Sequence, residues 1–359
     1  MSKIVSIGTA VPAYCHQQMD ILQFMQTVYA STEADKRKMR YLYQQSGIKQ
    51  RYSVIPDYSR TSAEWRFYPN TENLEPFPSL EQRMVVYNRY APQLSIDAIR
   101  DCLGHKYDPK DITHLITVSC TGMTAPGLDL QILELLDLNR HVSRTSINFM
   151  GCYAAIHALK IADAICKSDN NASVLLVCTE LCTLHFQHEP TMDNIASSLL
   201  FGDGSAAALV TSDVKTNEGF HIDGFHSEII SKGKRDMAWE LSSTGFQMTL
   251  SGYIPDLIEE DFLGVVNRSL GTNSSINEFS HWCIHPGGKR ILEAIHKSLS
   301  FSGDELKHSY DILKEYGNLS SATILFVLKR IAEQKKPVNK LFAAAFGPGL
   351  TIETFTCHN

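Results

Sequence analysis

Three polar residues stand at turns where their side chains could act on a substrate: Cys152, His285 and Asn318. A cysteine thiolate can accept an acyl group from a thioester, and a nearby histidine can activate the sulfur. Imidazole and carboxamide N–H groups can stabilise the charge that develops on a thioester oxygen when a malonyl group loses carbon dioxide. The combination indicates acyl transfer with decarboxylative condensation, chemistry that requires no metal and no redox cofactor.

Cys152 stands between a β-prone run and a helical pattern. The run at 145–149 leads to Gly151, and apolar positions of helical spacing begin just after the cysteine. The positive end of a helix dipole favours a thiolate, so this position predicts a lowered pKa for a partly exposed thiol. A buried structural thiol is the alternative, because free cysteines are commonly buried.

His285 ends a predicted strand and is followed by Pro286 and two glycines. Because those residues carry little side chain, a substrate could approach the imidazole closely. His281, Cys283 and His285 share one face of the strand, as zinc ligands would. No spaced second pair of ligands accompanies them, and the two-residue period of a strand explains the shared face. We therefore predict no metal site.

Asn318 follows Gly317 at a predicted helix start. An asparagine there ordinarily caps the helix, because its side-chain oxygen accepts from a free backbone N–H. Ser320 and Ser321 could cap the helix instead and leave the Asn318 amide free to donate to a substrate oxygen. The residues alone leave both alternatives open.

Short apolar runs alternate with helical patterns along the chain, which is typical of layered α/β proteins. Three pairs of segments also recur in order at a nearly constant spacing, which indicates an internal duplication. The pairs are 114–118 with 281–285, 151–152 with 317–318, and 174–178 with 341–345. We predict two similar halves, 1–212 carrying the cysteine and 213–359 carrying the histidine and asparagine. An additional stretch at about 184–200 is expected to contribute to a substrate cavity.

The composition argues against several classes of function. The chain has 359 residues, 43% hydrophobic and 20% charged, with a formal net charge of −6, so no overall basic field attracts nucleic acid. It contains no run of about 18 apolar residues that would span a membrane, and its first residues lack the features of a signal peptide. Nine cysteines without framework spacing are typical of reduced thiols. We therefore expect a cytoplasmic protein without a nucleic-acid partner.

Five motifs, in the expected order, resemble the signatures of type III polyketide synthases, the relatives of chalcone synthase, in their bacterial form. The motifs are Gly151-Cys152, Phe201-Gly202-Asp203-Gly204, His285-Pro286-Gly287-Gly288, Gly317-Asn318-Leu319-Ser320-Ser321-Ala322 and Phe346-Gly347-Pro348-Gly349-Leu350. The resemblance implies a thiolase-like, duplicated αβαβα fold and a homodimer with residues 123–127 near its interface. It implies that malonyl-CoA units are condensed onto an acyl-CoA starter held on Cys152, with His285 and Asn318 completing a triad and no resident cofactor. Cyclisation to a pyrone, resorcinol or phloroglucinol-type product would follow.

The resemblance also assigns residues to substrate binding. Phe201 would be the gate between a coenzyme A tunnel and the cavity, although a phenylalanine before Gly-Asp-Gly could equally be a packing residue at a turn. Met248 stands where the family usually has a second gating phenylalanine, and Trp239 where many plant members have a small residue. Lys38, in the basic run 36–40, aligns with a residue that binds coenzyme A phosphates, and a solvated helix face is the alternative. The remaining cavity residues implied are Cys120, Thr121, His185, Gly287, Gly347, Pro348 and Gly349.

Other functions compete with this interpretation. The ketoacyl synthase that initiates fatty-acid synthesis shares the duplicated fold and the Cys-His-Asn logic, but the loops at 201–204 and 346–350 favour the polyketide enzyme. A hydroxymethylglutaryl-CoA synthase would need a glutamate base that the sequence does not place. A non-catalytic thiolase-fold scaffold is the third alternative, and the presence of all three polar residues argues against it.

Overall fold

The computed structural model describes residues 2–212, 218–271, 275–334 and 337–359. Its centre is a nine-stranded sheet in the order β11-β12-β13-β8-β1-β7-β6-β4-β5, accompanied by the two-stranded pairs β2-β3 and β9-β10. The described strands are β1 (Ser2–Ala10), β2 (Tyr14–Gln17), β3 (Gln50–Ser53), β4 (His114–Ser119), β5 (Ser143–Asn148), β6 (Ser173–Leu181), β7 (Asp203–Ser212), β8 (Phe220–Ile229), β9 (Met237–Ser242), β10 (Gly245–Leu250), β11 (His281–Ile284), β12 (Lys340–Gly347) and β13 (Thr351–His358).

Helices connect these strands and cover the faces of the sheet. Within the described residues they are α1 (Gln18–Tyr29), α2 (Glu33–Gln45), α3 (Leu80–Leu103), α4 (Leu128–Leu135), α5 (Ala154–Ser168), α6 (Met192–Leu200), α7 (Ile254–Leu270), α8 (Lys289–Ser298), α9 (Lys307–Tyr316) and α10 (Thr323–Ala332). None of the described helices is long and apolar enough to cross a membrane.

The sheet consists of two halves with the same pairing pattern. In the first, β4 runs parallel to β6 and β6 antiparallel to β7, and in the second, β11 runs parallel to β12 and β12 antiparallel to β13. His114 lies opposite Val174, and its counterpart His281 lies opposite Leu341. The predicted duplicated α/β fold is therefore confirmed. The predicted boundary between the halves lies between residues 212 and 213. Residues 213–217 lie outside the described residues, so the boundary stays a prediction.

The alternation of side chains along the strands produces five layers. Leu175 of β6 faces a cluster formed with α3 and α4, whereas the next residue, Leu176, faces the central helices α5 and α10. In the second half, Phe342 of β12 faces α7 and α8, and Ala343 faces the same two central helices. Both β6 and β12 are buried on both faces, which explains their continuous apolar runs. The central helices α5 and α10 carry the turns that hold Cys152 and Asn318.

Candidate active site

Cys152 lies in the turn between β5 and α5, two residues before the first helical residue, Ala154. The chain turns sharply here, with φ of 60° at Phe149 and 85° at Gly151. A Cβ atom on Gly151 would lie 2.2 Å from Cδ of Pro348, which belongs to the other half. Only glycine combines this backbone angle with this close approach, so the turn fits tightly under a loop of the second half.

The Cys152 thiol is buried, with 9% of the residue exposed. Burial raises the pKa of Cys152 to about 12, and hydrogen bonds with Ser320 and Asn318 lower it only in part, while the charge of Glu180 raises it further. The sequence-based prediction of a partly exposed thiol with a lowered pKa was wrong. The loss of solvent outweighs the field of the helix end, because a thiolate without water has lost its main source of stabilisation.

His285 follows β11 and is 1% exposed. Neither ring nitrogen has a hydrogen-bond partner, and burial lowers the pKa of His285 to about 3. A Cβ atom on Gly287 would lie 3.8 Å from Nε2 of His285, so the glycine keeps the space beside the ring clear. The residue is thus a neutral imidazole whose nitrogens are free for a substrate or for the thiol.

The contacts of the Asn318 side chain show that it does not cap helix α10. Its Oδ1 accepts from the Ser320 backbone N–H at 2.8 Å, and its Nδ2 donates to the Gly287 carbonyl at a longer 3.3 Å. Helix α10 begins only at Thr323 and has no side-chain cap. Asn318 therefore uses its oxygen to shape the turn before the helix, and its amide nitrogen has a long hydrogen bond to Gly287 and an interaction with the Cys152 thiol.

Short contacts connect the three residues. The Cys152 thiol donates to Oγ of Ser320 at 3.7 Å, and Ser320 is bonded to Asn318 as described. Asn318 in turn contacts Gly287, whose N–H donates to the carbonyl of His285 at 3.0 Å. These contacts link Cys152 to Asn318 through Ser320, and Asn318 to the turn that follows His285. The triad of Cys152, His285 and Asn318 stays a prediction. Ser320 takes part in these contacts, although sequence reasoning considered it only as a cap.

A cavity lies against Cys152. Seven of the residues predicted for substrate binding line it: Cys120, Thr121, His185, Phe201, Trp239, Met248 and Pro348. Gly287, Gly347 and Gly349 are not among the lining residues. Gly347 lies behind the Cys152 turn, where a Cβ atom would come within 2.5 Å of the Tyr153 ring. Lys38 also lies outside the lining, on α2, with its Nζ 3.6 Å from Sδ of Met192.

Trp239 and Met248 face each other across the β9–β10 hairpin. The indole Nε1 of Trp239 donates to the Cys120 carbonyl at 2.7 Å. The indole packs edge-on against His185 and Phe246, with ring centroids 5.7 Å and 5.8 Å apart. A hydrogen bond and two aromatic contacts therefore hold the indole in the cavity wall.

His185 is a fixed part of that wall. Its Nε2 lies 2.7 Å from the Thr121 carbonyl and its Nδ1 accepts from the Phe246 N–H at 3.1 Å, which sets one neutral tautomer. Burial lowers the pKa of His185 to about 3. Sequence reasoning missed Phe246, which stacks on His185 at 4.1 Å and lines the cavity. The two-residue period from Met248 along β10 was the signal that could have identified it.

A second missed residue is Glu180, a fully buried carboxyl near the end of β6. Its Oε2 accepts from the Cys120 N–H and from the Thr121 hydroxyl, both at 2.9 Å, and Oε1 accepts from the Ser321 hydroxyl. Burial raises the pKa of Glu180 to about 7. An acid inside the apolar run 174–181 was the available signal, because a buried carboxyl needs partners.

The described part of the chain contains no group of three or more histidine, cysteine, aspartate or glutamate side chains arranged to hold a metal ion. Cys283, one of the residues considered as a zinc ligand, donates to the Ile324 carbonyl at 3.6 Å. All nine cysteines are free thiols, and Cys15 alone is exposed.

The fold and the site define a class of protein. The chain matches the N-terminal domain of the chalcone and stilbene synthases over residues 1–214 and the C-terminal domain over residues 223–359. It therefore belongs to this family, the type III polyketide synthases, which are acyltransferases that use coenzyme A thioesters. The predicted thiolase-like, duplicated αβαβα fold is confirmed.

Solved structures support the assignment over the whole chain. The C-terminal type III polyketide synthase domain of Steely1, a type I/III hybrid from Dictyostelium, superposes with a TM-score of 0.92 at 28% identity and covers 100% of this chain and 99% of that one. PKS-I of the brown alga Ectocarpus siliculosus superposes with a TM-score of 0.92 at 26% identity, with 100% and 98% covered.

Two relatives are similar in sequence along nearly all of this chain. Probable polyketide synthase 1 of Dictyostelium discoideum is 30% identical over 367 residues, which cover 98% of this chain but 11% of that protein. A putative chalcone synthase of Bacillus subtilis is 30% identical over 369 residues, covering 98% of this chain and 97% of that protein. The chain thus spans about a tenth of the first relative and almost all of the second.

Proposed function

We propose that this protein condenses malonyl units from malonyl-CoA onto an acyl-CoA starter held as a thioester on Cys152. The observation that supports the proposal is a cavity-lining thiol that interacts with Ser320 and Asn318, beside the turn that follows a buried, unpartnered imidazole, His285. Leaving a buried polar group without a hydrogen-bond partner costs free energy. The unpartnered ring nitrogens of His285 therefore indicate that a bound substrate supplies the missing partner. No resident cofactor is needed for this chemistry.

In the loading step, Sγ of Cys152 attacks the thioester carbonyl of the starter while its proton passes to an unprotonated nitrogen of His285. The bond between the carbonyl carbon and the coenzyme A sulfur then breaks, and the departing thiolate takes that proton from the imidazolium. Because proton transfer accompanies attack, a resting thiol with a pKa of about 12 is compatible with catalysis. The acyl group remains on Cys152.

In the extension step, malonyl-CoA loses carbon dioxide and the electron pair of the broken bond forms an enolate. The N–H of neutral His285 and the Nδ2–H of Asn318 donate to the enolate oxygen. The enolate carbon attacks the Cys152 thioester, and the cysteine sulfur leaves as thiolate. Repetition would lengthen the chain before cyclisation to a pyrone, resorcinol or phloroglucinol-type product.

We further propose an aliphatic starter. The cavity is lined in part by apolar side chains: Ile21 and Met25 of α1, Phe186, and Met237 of β9. Apolar walls favour an acyl chain by burying its methylene groups. The fixed indole of Trp239 leaves less room for a bulky aromatic starter. The basic residues of α2, including Lys38, would contact the coenzyme A phosphates.

Incubation with radiolabelled malonyl-CoA and a panel of acyl-CoA starters, with products analysed by mass spectrometry, tests the proposal. We expect products that carry several malonyl-derived units on aliphatic starters, and none from a Cys152→Ala variant. A single extension on every starter would instead identify a ketoacyl synthase. If the folded protein incorporates no label into any product, a non-catalytic scaffold is the alternative that remains.

We also propose a twofold-symmetric dimer that uses the edge strand β5. This strand ends the sheet order, and residues 143–146 along it are exposed. Met123, in the segment predicted near the interface, is 48% exposed. An open strand edge beside an exposed apolar side chain is a surface that a second copy can cover. Light scattering should give about twice the 40.2 kDa chain mass, and a monomer at micromolar concentration would refute the proposal.

A further inference from the structure

Arg51, on β3, is a buried cation that the proposed chemistry does not use. It is 3% exposed and lines the cavity. Its Nε donates to Oε1 of Gln18 at 2.9 Å and its Nη1 donates to the Phe201 carbonyl. Gln18, equally buried, donates from its Nε2 to the Leu199 carbonyl at 2.8 Å. Two buried side chains thus hold two backbone carbonyls at the carboxyl end of α6.

The end of α6 also contacts the backbone of Asn318, whose side-chain amide is the proposed hydrogen-bond donor. Between the two carbonyls held by the pair, the Leu200 carbonyl accepts from the backbone N–H of Asn318 at 2.9 Å, and the Gly202 N–H donates to the Asn318 carbonyl at 3.0 Å. The last carbonyls of a helix lack partners within the helix. Here three successive carbonyls, those of Leu199, Leu200 and Phe201, accept hydrogen bonds. The donors are Gln18, Asn318 and Arg51, respectively.

The stem of Arg51 contacts the same turn from its other side. A Cβ atom on Gly317, whose φ is 71°, would lie 2.8 Å from Cδ of Arg51 and 2.7 Å from the Leu200 carbonyl oxygen. The residue before Asn318 is therefore packed between the arginine and the helix end. A cation at a helix carboxyl end is also favoured by the helix dipole.

We infer that Arg51 and Gln18 are positioning residues. They fix the position of the cavity residue Phe201 relative to the side-chain amide of Asn318. The inference rests on the proposed function, because it assigns Asn318 to stabilisation of the enolate. Neither residue needs to touch substrate. Their effect is exerted through the end of α6, from which Phe201 extends and to which Asn318 is bonded.

The test measures two steps separately in Arg51→Met and Gln18→Met variants. Malonyl-CoA decarboxylation depends on Asn318 as a donor to the enolate oxygen, whereas alkylation of Cys152 by iodoacetamide depends on Asn318 only through a minor contribution to the pKa of the thiol. Small misplacement of a catalytic group costs on the order of 100-fold in rate. We expect such a loss in kcat for decarboxylation by Arg51→Met, a smaller loss for Gln18→Met, a nearly unchanged KM and a nearly unchanged alkylation rate. Arg51→Lys, which keeps the charge but not the planar fork, should fall between wild type and Arg51→Met.

Arg83 offers a matched control. It is also fully buried, donates to the Pro78 and Leu184 carbonyls, and has one unpartnered Nη2 like Arg51. Arg83→Met should lower the melting temperature as much as Arg51→Met does and leave decarboxylation near the wild-type rate. Equal losses of decarboxylation in both variants, or parallel loss of alkylation in Arg51→Met, would overturn the inference. If Arg51→Met does not fold, the near-isosteric Gln18→Met serves as the test variant. Decarboxylation at the wild-type rate by Gln18→Met would then overturn the inference. A wild-type protein that does not decarboxylate malonyl-CoA would instead refute the proposed function.

Discussion

The two halves of the molecule carry different residues at equivalent positions. The register that matches His114 to His281 also matches Glu180 near the end of β6 to Gly347 at the end of β12. The turn after β4 supplies Cys120 and Thr121 to the cavity wall, whereas the turn after β11 consists of small residues beside His285. Duplication thus supplies two similar frames, and the residues that face the site differ at the ends of their parallel strands.

The connections that follow these strands differ in length as well. In the first half β6 ends at Leu181 and β7 begins at Asp203, with α6 between them, whereas β12 ends at Gly347 and β13 begins at Thr351. The longer connection contributes nine residues to the cavity wall: Cys182, Thr183, His185, Phe186, Gln187, Asn194, Ser197, Ser198 and Phe201. The first half therefore forms most of the cavity and holds the proposed nucleophile. The second half contributes compact turns that place two proposed hydrogen-bond donors.

If the first half alone holds the acyl chain, replacing its nucleophile should have the largest effect. We expect Cys152→Ala to abolish starter loading and product formation while the fold remains, because alanine suits a position next to a helix start. Mass spectrometry of the intact protein after incubation with an acyl-CoA measures loading. Cys182→Ala is the matched control, since Cys182 is equally buried and lines the same cavity. Loading that survives in Cys152→Ala and disappears in Cys182→Ala would move the nucleophile to the other thiol.

The sequence was sufficient for the scaffold, whereas the triad of Cys152, His285 and Asn318 stays a prediction. The duplication is visible because buried parallel strands leave apolar runs of fixed spacing, and turns with glycine mark where the chain reverses. The pKa of Cys152 was not predictable, because it depends on a loop around Pro348 that covers the turn from the other half. Arg51 escaped notice for a similar reason, since its partners Gln18 and Phe201 are distant in sequence and only folding brings them together.

The second half should supply the groups that stabilise charge. We expect Asn318→Ala to reduce malonyl-CoA decarboxylation by about 100-fold or more, the usual cost of one preorganised donor to an oxyanion. His285→Gln should reduce both decarboxylation and loading, because it also removes the proton acceptor for the thiol. Release of labelled carbon dioxide measures decarboxylation, and Asn194→Ala, which removes another cavity carboxamide, is the control. Wild-type decarboxylation in both test variants would remove the proposed role of the second half.

The cavity wall should determine which starter is used. Trp239→Gly removes the indole that faces Met248, and we expect the ratio of aromatic to aliphatic starter use to rise by about 10- to 200-fold. Trp239→Phe keeps a ring but loses the hydrogen bond to the Cys120 carbonyl, so it separates the volume of the side chain from its anchoring. Competition between two labelled starters gives the ratios directly. Ratios that match wild type in both variants would show that the indole does not limit the starter.

The smallest effect should come from the carboxyl that distinguishes β6 from β12. The charge of Glu180 is one of the causes that raise the pKa of Cys152, so Glu180→Gln should lower that pKa and increase the thiolate fraction at a given pH. Each pKa unit changes that fraction about tenfold, and we expect iodoacetamide to alkylate Cys152 about 3- to 10-fold faster at pH 8.5. Cys152→Ala identifies the labelled thiol, and Glu353→Gln, which alters a buried glutamate of the second half, is the control.

The pH dependence of this difference separates charge from packing. The pKa of Glu180 is raised to about 7 by burial, so below pH 6 the wild-type carboxyl is protonated and carries no charge to repel the thiolate. The advantage of Glu180→Gln should therefore be present above pH 8, decline through pH 7 and vanish near pH 6. A constant ratio of alkylation rates across this range would mean that the substitution acts by loosening the contacts to Cys120 and Ser321 rather than by removing a charge. In that case Glu180 would be a structural link between the halves, and the thiol pKa would be set by burial alone.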